Sequence, residues 1–325
     1  MSVKHAQPSP PGERTFRVPA SYYQQFDADF ERDVPAEGYA GWRRGALDLS
    51  LAHTAVVVMH AWDTGTREAF PGWHRAVEYI PRADEIVRTV FPRLLGAVRA
   101  SPLPLFHVVG GGDYYQGYPG YRRAVALAGP SPAPPPPVAT DPTLEALRRF
   151  RAERVFPGAA NRGDVRRGAA EIDFPPAAAP RGEEGIAADS HQLAALCAAH
   201  GINHLIYAGF AINWCLLLSP GGMAEMSRRG VLCSAFRQAV TAVENRETAR
   251  AGDRGAIRPG LACAGQSVQE LLHVEDEPER QGHPPEGVLL APLGARRLPV
   301  LHRRHRLPEG GAEHPPPAHL GHPPG

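Results

Sequence analysis

Lysine is all but missing from this chain of 325 residues: Lys4 stands alone beside 34 arginines. A catalytic amine is therefore available only at position 4, far from every apolar run in the sequence. An excess of charge of one sign is missing too. Lys+Arg total 35 and Asp+Glu 34, a formal net charge of +1, so no global basic surface marks a nucleic-acid or membrane binder. Cysteine is sparse: Cys197, Cys215, Cys233 and Cys263 have neither the density of a disulfide scaffold nor the spacing of a zinc knuckle or CxxC site. They read as individual thiols in a reducing compartment. No apolar run approaches the roughly 20 residues of a membrane helix, and MSVKHAQPSPPGERTF has no apolar stretch after its first charges. The expectation is a soluble, cytoplasmic protein with no membrane and no nucleic-acid partner.

What is plentiful is hydrophobic residues, glycine and proline. Hydrophobic residues make up 43% of the chain, enough to bury the core of one large α/β domain or two modest ones. The 34 Gly and 35 Pro are unevenly spread and mark out the organisation. Residues 1–50 read as a loose N-terminal arm with short packing elements around Tyr22-Tyr23-Gln24-Gln25-Phe26. Residues 51–272 carry the patterned α/β domain, interrupted near 128–182 by a Pro/Gly-rich insertion in which only 143–156 promises a helix. Residues 273–325 read as a low-complexity, disordered tail, since 274–325 hold 11 prolines and 6 histidines and no pattern able to build a core.

Within the domain, Thr54-Ala55-Val56-Val57-Val58-Met59 is a continuous apolar run, as a buried parallel strand requires. Apolar residues then recur at helical spacing from Tyr79 to Val98, with Pro81 suited to a first turn and Pro92 to a break. A second strand runs from Pro104 to Val109. Order returns with a helix from Ser190 to a stop at Gly201, a strand over 203–209, a helix over 223–229 and a strand over 231–236. Strand and helix alternate in both halves, which predicts a single, mostly parallel sheet.

Parallel sheets hold ligands at the carboxyl ends of their strands. The residues there are His60 and Asp63, His107 and Asp113, and Asn213 to Cys215. Cys215 follows a strand, a glycine and a tight turn and begins a helix, whose free N–H groups lower a thiol pKa and hold an oxyanion. On spacing alone it is either a nucleophile or a small buried hydrophobe. Trp62 and Trp214 flank these positions as pocket walls or core, and Tyr114 with Tyr115, Tyr118 and Tyr121 forms an aromatic loop for a pocket wall, a dimer contact or plain packing. Gly110-Gly111-Gly112-Asp113 lacks the GxxxxGK[ST] and GxGxxG patterns and reads as a flexible rim. No cofactor and no metal are expected; His60, Asp63 and His107 match no ligand spacing, and a structural role suits His107 better.

The run Tyr207-Ala208-Gly209-Phe210-Ala211-Ile212-Asn213-Trp214-Cys215 resembles the nucleophile turn of the isochorismatase-like cysteine hydrolases, where a Gly-x-Ala-Thr-x-x-Cys pattern closes a strand. The likeness extends through Met226 to Gly230 and Ala239 to Glu244 and covers roughly residues 50–270. It implies a doubly wound, mostly parallel sheet with helices on both faces, a Rossmann-like three-layer sandwich, and a homo-oligomer acting on a small-molecule substrate. It also places the nucleophile at Cys215, an oxyanion turn at Ala211, Ile212 and Trp214, and a cis bond between Ala211 and Ile212, while the strand ends and the aromatic loop offer Trp62, His107, Tyr114 and Asn213 as pocket positions. The chain departs from the family at Ile212, where Thr is usual, at His60, where the catalytic Asp stands, and at the lysine, for which only an arginine such as Arg181 offers charge. Two function classes follow: a hydrolase cleaving an amide, ester or related bond through a Cys215 thioester with His60 as base and Asp63 orienting it, or a degenerate relative kept as a small-molecule binding or subunit-interaction module. A metal-assisted or other enzyme remains a third.

Overall fold

Four hydrophobic runs become the central strands, and their alternate side chains supply two separate cores. The computed structural model describes residues 14–133, 136–246 and 249, and the backbone alone of 288–290. Lys4, Cys263 and most of the tail lie outside the described residues. In chain order the elements are β1 (Thr15–Gln24), β2 (Gly41–Ser50), β3 (Thr54–Met59), α1 (Pro71–Ala76), α2 (Ile80–Thr89), α3 (Phe91–Arg99), β4 (Leu105–Val108), α4 (Pro119–Ala128), α5 (Pro142–Phe150) and α6 (Arg162–Glu171). They continue with β5 (Gly185–Ala187), α7 (Ser190–His200), β6 (His204–Gly209), α8 (Cys215–Leu218), α9 (Met223–Arg228), β7 (Leu232–Val240) and β8 (Val288–Leu290).

The sheet runs β2-β1-β8-β7-β6-β3-β4-β5, and the block from β7 to β5 is five parallel strands. Successive side chains of a strand point to opposite faces. Val56 and Val58 of β3 with Ile206 and Ala208 of β6 therefore join Ile80 of α2 and Phe91, Leu94, Leu95 and Val98 of α3 in one core. Ala55, Val57 and Met59 with Leu205 and Tyr207 join Leu193 and Leu196 of α7 and Met223 and Met226 of α9 in the other. Helices thus cover both faces, as expected of a doubly wound α/β sandwich. Each fully buried aliphatic side chain contributes about 1.5–3 kcal/mol through removal from water.

Local chemistry accounts for the element boundaries. The long periodic stretch breaks at Val90, with Pro81 in the first turn of α2 and Pro92 in that of α3. Asp189 accepts from the Gln192 N–H at the start of α7, and Gly201, at φ 68°, closes it. Elsewhere the structure departs from the sequence reading. The N-terminal stretch forms a ten-pair antiparallel hairpin of β1 and β2, and Val288–Leu290 pairs between β1 and β7. The insertion holds α6 as well as α5, and β5 is a three-residue edge strand of the parallel block.

His107 on β4 is buried inside the sheet layer rather than exposed as a pocket position would be. Its Nε2 is 2.9 Å from Glu184 Oε2, and Arg99 grips the same carboxylate through Nε and Nη2 at 2.6 and 3.0 Å. Burial holds the His107 imidazole below its ordinary pKa, so it is neutral and donates to Glu184. Burial would raise the Glu184 pKa, but the hydrogen bonds from Arg99 and His107 outweigh it and bring the carboxyl down to about 2. A depressed carboxylate contributes stability above its unfolded pKa, about 4.3, and loses it as pH falls toward the folded value. Glu184→Gln is expected to cost about 2–4 kcal/mol at pH 7 in urea unfolding, with the gap to the parent protein closing between about pH 4 and pH 2.

Candidate active site

The order of the strands selects one crevice. From β3 the chain moves outward to β4 and β5, then crosses back to β6 on the other side of β3 and continues to β7. The direction of winding reverses between β3 and β6, and ligands bind outside the carboxyl ends of strands at such a switch point. His60 follows β3 there and Phe210 follows β6.

The two strand ends approach closely. Met59 pairs with Gly209, whose φ is 126°, and a Cβ at Gly209 would lie 1.9 Å from the Met59 carbonyl oxygen. Only glycine fits. The chain then turns sharply: Phe210 N donates to Met59 O (3.2 Å), and both Trp214 N and Leu216 N donate to Ala211 O (3.1 Å each). The cis peptide joins Phe210 to Ala211, one residue before the Ala211–Ile212 bond that the sequence points to. The segment after β7 clamps the turn from outside. Ile212 N donates to Thr241 O (2.8 Å), and Asn213 exchanges two bonds with Val243, Nδ2 to its carbonyl (3.0 Å) and Oδ1 from its N–H (2.8 Å). Asn213 is thus a brace for the turn and is not a pocket residue.

A small cavity of about 50 Å³ opens at this end, walled by His60, Trp62, Trp73, Tyr79, Asp84 and Phe210, with Thr64 and apolar side chains of α2 completing it. His60 is its most unusual member. It has a positive φ of 50°, sparsely populated by residues other than glycine and held only where the surroundings impose it. Its ring is stacked on Trp62, centroids 4.6 Å apart. The side chain is 8% exposed, and neither ring nitrogen has a hydrogen-bond partner among the described residues. Burial pushes the imidazole down to about 4, the Val109 backbone only partly opposing it, so His60 is neutral at pH 7. The Thr64 hydroxyl is likewise buried without a partner among the described residues.

The other expected residues divide. Trp62 lines the cavity and is held by Tyr114, whose hydroxyl accepts from the indole Nε1 at 3.0 Å; Tyr114 itself lies behind the wall. Asp63 is exposed, its backbone pairs with Asp173, and its carboxylate accepts from Gly65 N, so it does not orient His60. Trp214 points away, edge-on to Phe156 at 5.3 Å, and Ile212 is packed in the core on the α7 side. Arg181 is exposed and precedes β5, at the amino edge of the sheet, the end opposite the crevice. Among the described residues no group of three His, Cys, Asp or Glu gathers as metal ligands. No described helix is long and apolar enough to cross a membrane.

Cys215 begins α8 and is half-buried. Burial pushes its thiol pKa up, with the Ser219 hydroxyl and the Ala211 N–H only partly offsetting this, so the expected activation by helix N–H groups is not found in a helix of four residues. Cys215 is not among the residues walling the cavity, but its charge is felt at Tyr79, whose phenol is raised first by burial and then by Cys215. Tyr79 thus stands in the cavity wall within electrostatic reach of the thiol.

Sequence reasoning missed Trp73, Tyr79, Asp84 and Phe210. Trp73 depends on the insertion: a Cβ at Gly168 of α6 would lie 1.9 Å from the Trp73 ring, and Asp164 Oδ2 accepts from Gly72 N at 2.7 Å. The one available signal was Phe210, directly after the strand-ending glycine.

No protein-family model matches the chain, and no curated protein matches it. Among solved structures it is similar to a cysteine hydrolase from Pseudomonas syringae pv. phaseolicola 1448A, at 14% identity over 61% of this chain and 77% of that one, with a TM-score of 0.34. It is also similar to an isochorismatase family protein from Burkholderia thailandensis (17% identity, 61% and 84% covered, TM-score 0.31). A third is N-carbamoylsarcosine amidase from Thermoplasma acidophilum (14%, 61% and 88%, TM-score 0.29). These likenesses concern the α/β frame at most and assign no residue a role.

The buried, neutral His60 makes a testable statement about acid stability. A histidine whose folded pKa lies below its unfolded value of 6.5 contributes stability above pH 6.5 and loses it as pH falls through the window from 6.5 to about 4. His60→Asn, which tolerates positive φ, is expected to remove about 2–3 kcal/mol of the stability lost between pH 7 and pH 4.5 in paired urea titrations. An unchanged pH slope would mean that the imidazole is not held neutral by the fold.

Proposed function

We propose that this chain is an isochorismatase-like cysteine hydrolase that binds a small molecule at the carboxyl ends of β3 and β6 and attacks an amide, ester or related bond with Cys215. One observation carries the reading: the thiol stands at the end of a tight, externally clamped turn, half-buried, with the Ala211 N–H and the Ser219 hydroxyl interacting with its sulfur. An N–H already aimed at this position is the start of an oxyanion site. Attack by sulfur on the carbonyl carbon yields a tetrahedral oxyanion, whose collapse expels the amine or alcohol with a proton and leaves a thioester; water then returns the carboxylic acid and the thiol.

His60 follows β3 at this end of the sheet, and its neutral form is the one a base needs. Moving a proton from an ordinary thiol to an imidazole of pKa about 4 is uphill by at least about 6 kcal/mol. That fits inside the roughly 16 kcal/mol barrier of an enzyme turning over about ten times per second. The step is thus affordable energetically, though no hydrogen bond joins His60 to Cys215 among the described residues.

The opposed shifts of the two groups favour the second reading, a binding module that retains the fold without turnover: burial raises the thiol and lowers the imidazole, away from an ion pair. The two readings part in one experiment. Incubation with p-nitrophenyl acetate followed by peptide mapping is expected to find an acetyl group on Cys215, absent in Cys215→Ala, with release of p-nitrophenol falling at least about 10³-fold in the variant. Failure to acylate Cys215 in the parent protein leaves the binding module as the function.

A further inference from the structure

We infer that the cavity at His60 takes a small organic cation, an alkylammonium or guanidinium head group. The inference deepens the reading of this crevice as a small-molecule site and rests on it, but it does not need Cys215 to be a nucleophile.

Three features of the wall converge. First, His60 is more than nine-tenths buried, and apart from a weak interaction with the Val109 backbone its ring nitrogens have no hydrogen-bond partner among the described residues, beside a Thr64 hydroxyl that has none. Buried polar atoms left unpaired cost about 1–3 kcal/mol each, and those of His60 and Thr64 belong to residues that wall the cavity, where the donors of a ligand can satisfy them. Neutral imidazole offers one lone pair, and Thr64 offers two, for N–H donors. Second, Asp84 stands in the wall with no ion pair or hydrogen bond to another described residue, and no arginine or lysine lines the cavity. Both arginines of α2 are committed elsewhere: Arg82 holds Glu78 at 2.8 Å and donates to Ala242 O at 2.9 Å, and Arg88 pairs with Glu85. Third, the rest of the wall is aromatic and aliphatic, with Trp62, Trp73, Tyr79 and Phe210 contributing rings. Electron-rich rings beside a carboxylate favour a cation over a neutral molecule, and Asp84 disfavours an anion.

Size narrows the class. About 50 Å³ holds roughly three or four water-sized groups, which suits the head of an alkylammonium or a guanidinium and excludes a bicyclic ring system. Ammonium N–H groups would donate to His60 and Asp84, while the alkyl part meets Val77, Ile80 and the rings.

The test is a titration of the Cys215→Ala protein, followed by tryptophan fluorescence, with ethylammonium, guanidinium, acetamide and acetate at constant ionic strength. Working in that variant separates binding from turnover. Saturable quenching by ethylammonium or guanidinium, at least tenfold weaker for acetamide and for acetate, is expected. Asp84 is exposed enough for Asp84→Asn to fold, and that change is expected to weaken the cations at least tenfold while leaving acetamide unchanged. Equal or tighter binding of acetamide or acetate overturns the inference, as does an Asp84→Asn protein that binds cations as before. No saturable binding by any of the four overturns both the inference and the small-molecule site, whereas cation binding together with an unacylated Cys215 removes only the hydrolase.

Discussion

The contact between the Met59 carbonyl and the Cα of Gly209 sets the geometry on which the rest of the crevice depends. Two parallel strands entering from opposite sides of the switch point must end level with one another, and at Gly209 there is no room for a Cβ. That closeness places His60 and Phe210 on one cavity wall and commits residues 211–214 to the turn that ends at Cys215. A side chain at 209 would have to part β3 from β6, disturbing both cores at once, since these strands feed residues to each. The turn is then held by bonds to Thr241 and Val243, whose chain neighbours Ala242 and Glu244 are tied to Arg82 of α2 and to Glu78 just before it. One short segment thus couples the turn to the helix that supplies Tyr79 and Asp84.

At the end of β3 stability and recognition pull in opposite directions. A histidine at positive φ, buried and unpaired, is a local cost of a few kcal/mol that the surrounding fold supplies. The contrast with His107 is instructive. Both imidazoles are buried and neutral, but His107 donates to Glu184 through Nε2 and leaves only Nδ1 without a partner among the described residues, while His60 borders a cavity with neither nitrogen in a hydrogen bond of ordinary geometry. His204 is a third case, bonded at 2.8 Å to the Ser234 hydroxyl within the sheet. Of these three buried histidines, only His60 is left with both nitrogens to offer.

How much of this was legible in the sequence follows from the range of the interactions involved. β3, α2, α3, α7, β6 and α9 were readable because each is a local hydrophobic pattern with its own start and stop, such as Pro92 and Gly201. The turn was readable because a glycine after an apolar strand leaves few options, and Cys215 does begin a helix. The β1–β2 hairpin was not: β1 alternates buried and exposed positions only over Thr15 to Val18 and β2 buries Leu49 alone, so with Arg17, Arg43 and Arg44 exposed the stretch reads locally as a polar arm. β5 has three residues, too few for any period. Gly168 looked like one more glycine in a Pro/Gly-rich stretch, yet it is the seat of the Trp73 ring, a contact between positions 95 residues apart that no local pattern encodes. His107 and Asp63 sat at the right strand ends, but strand position does not say which partner, Glu184 or a solvent-exposed turn, a side chain will find.

The missing lysine can now be placed in physical terms. Arginine carries a charge that cannot be given up, so it serves best where the charge is permanently matched. The described arginines near the core do this: Arg99 with Glu184, and Arg82 with Glu78 and Glu244. The crevice is left with a neutral imidazole, hydroxyls, aromatic rings and the unpaired carboxylate of Asp84. Burial raises the Cys215 thiol pKa, and no arginine or lysine of the crevice wall opposes that by stabilising a thiolate.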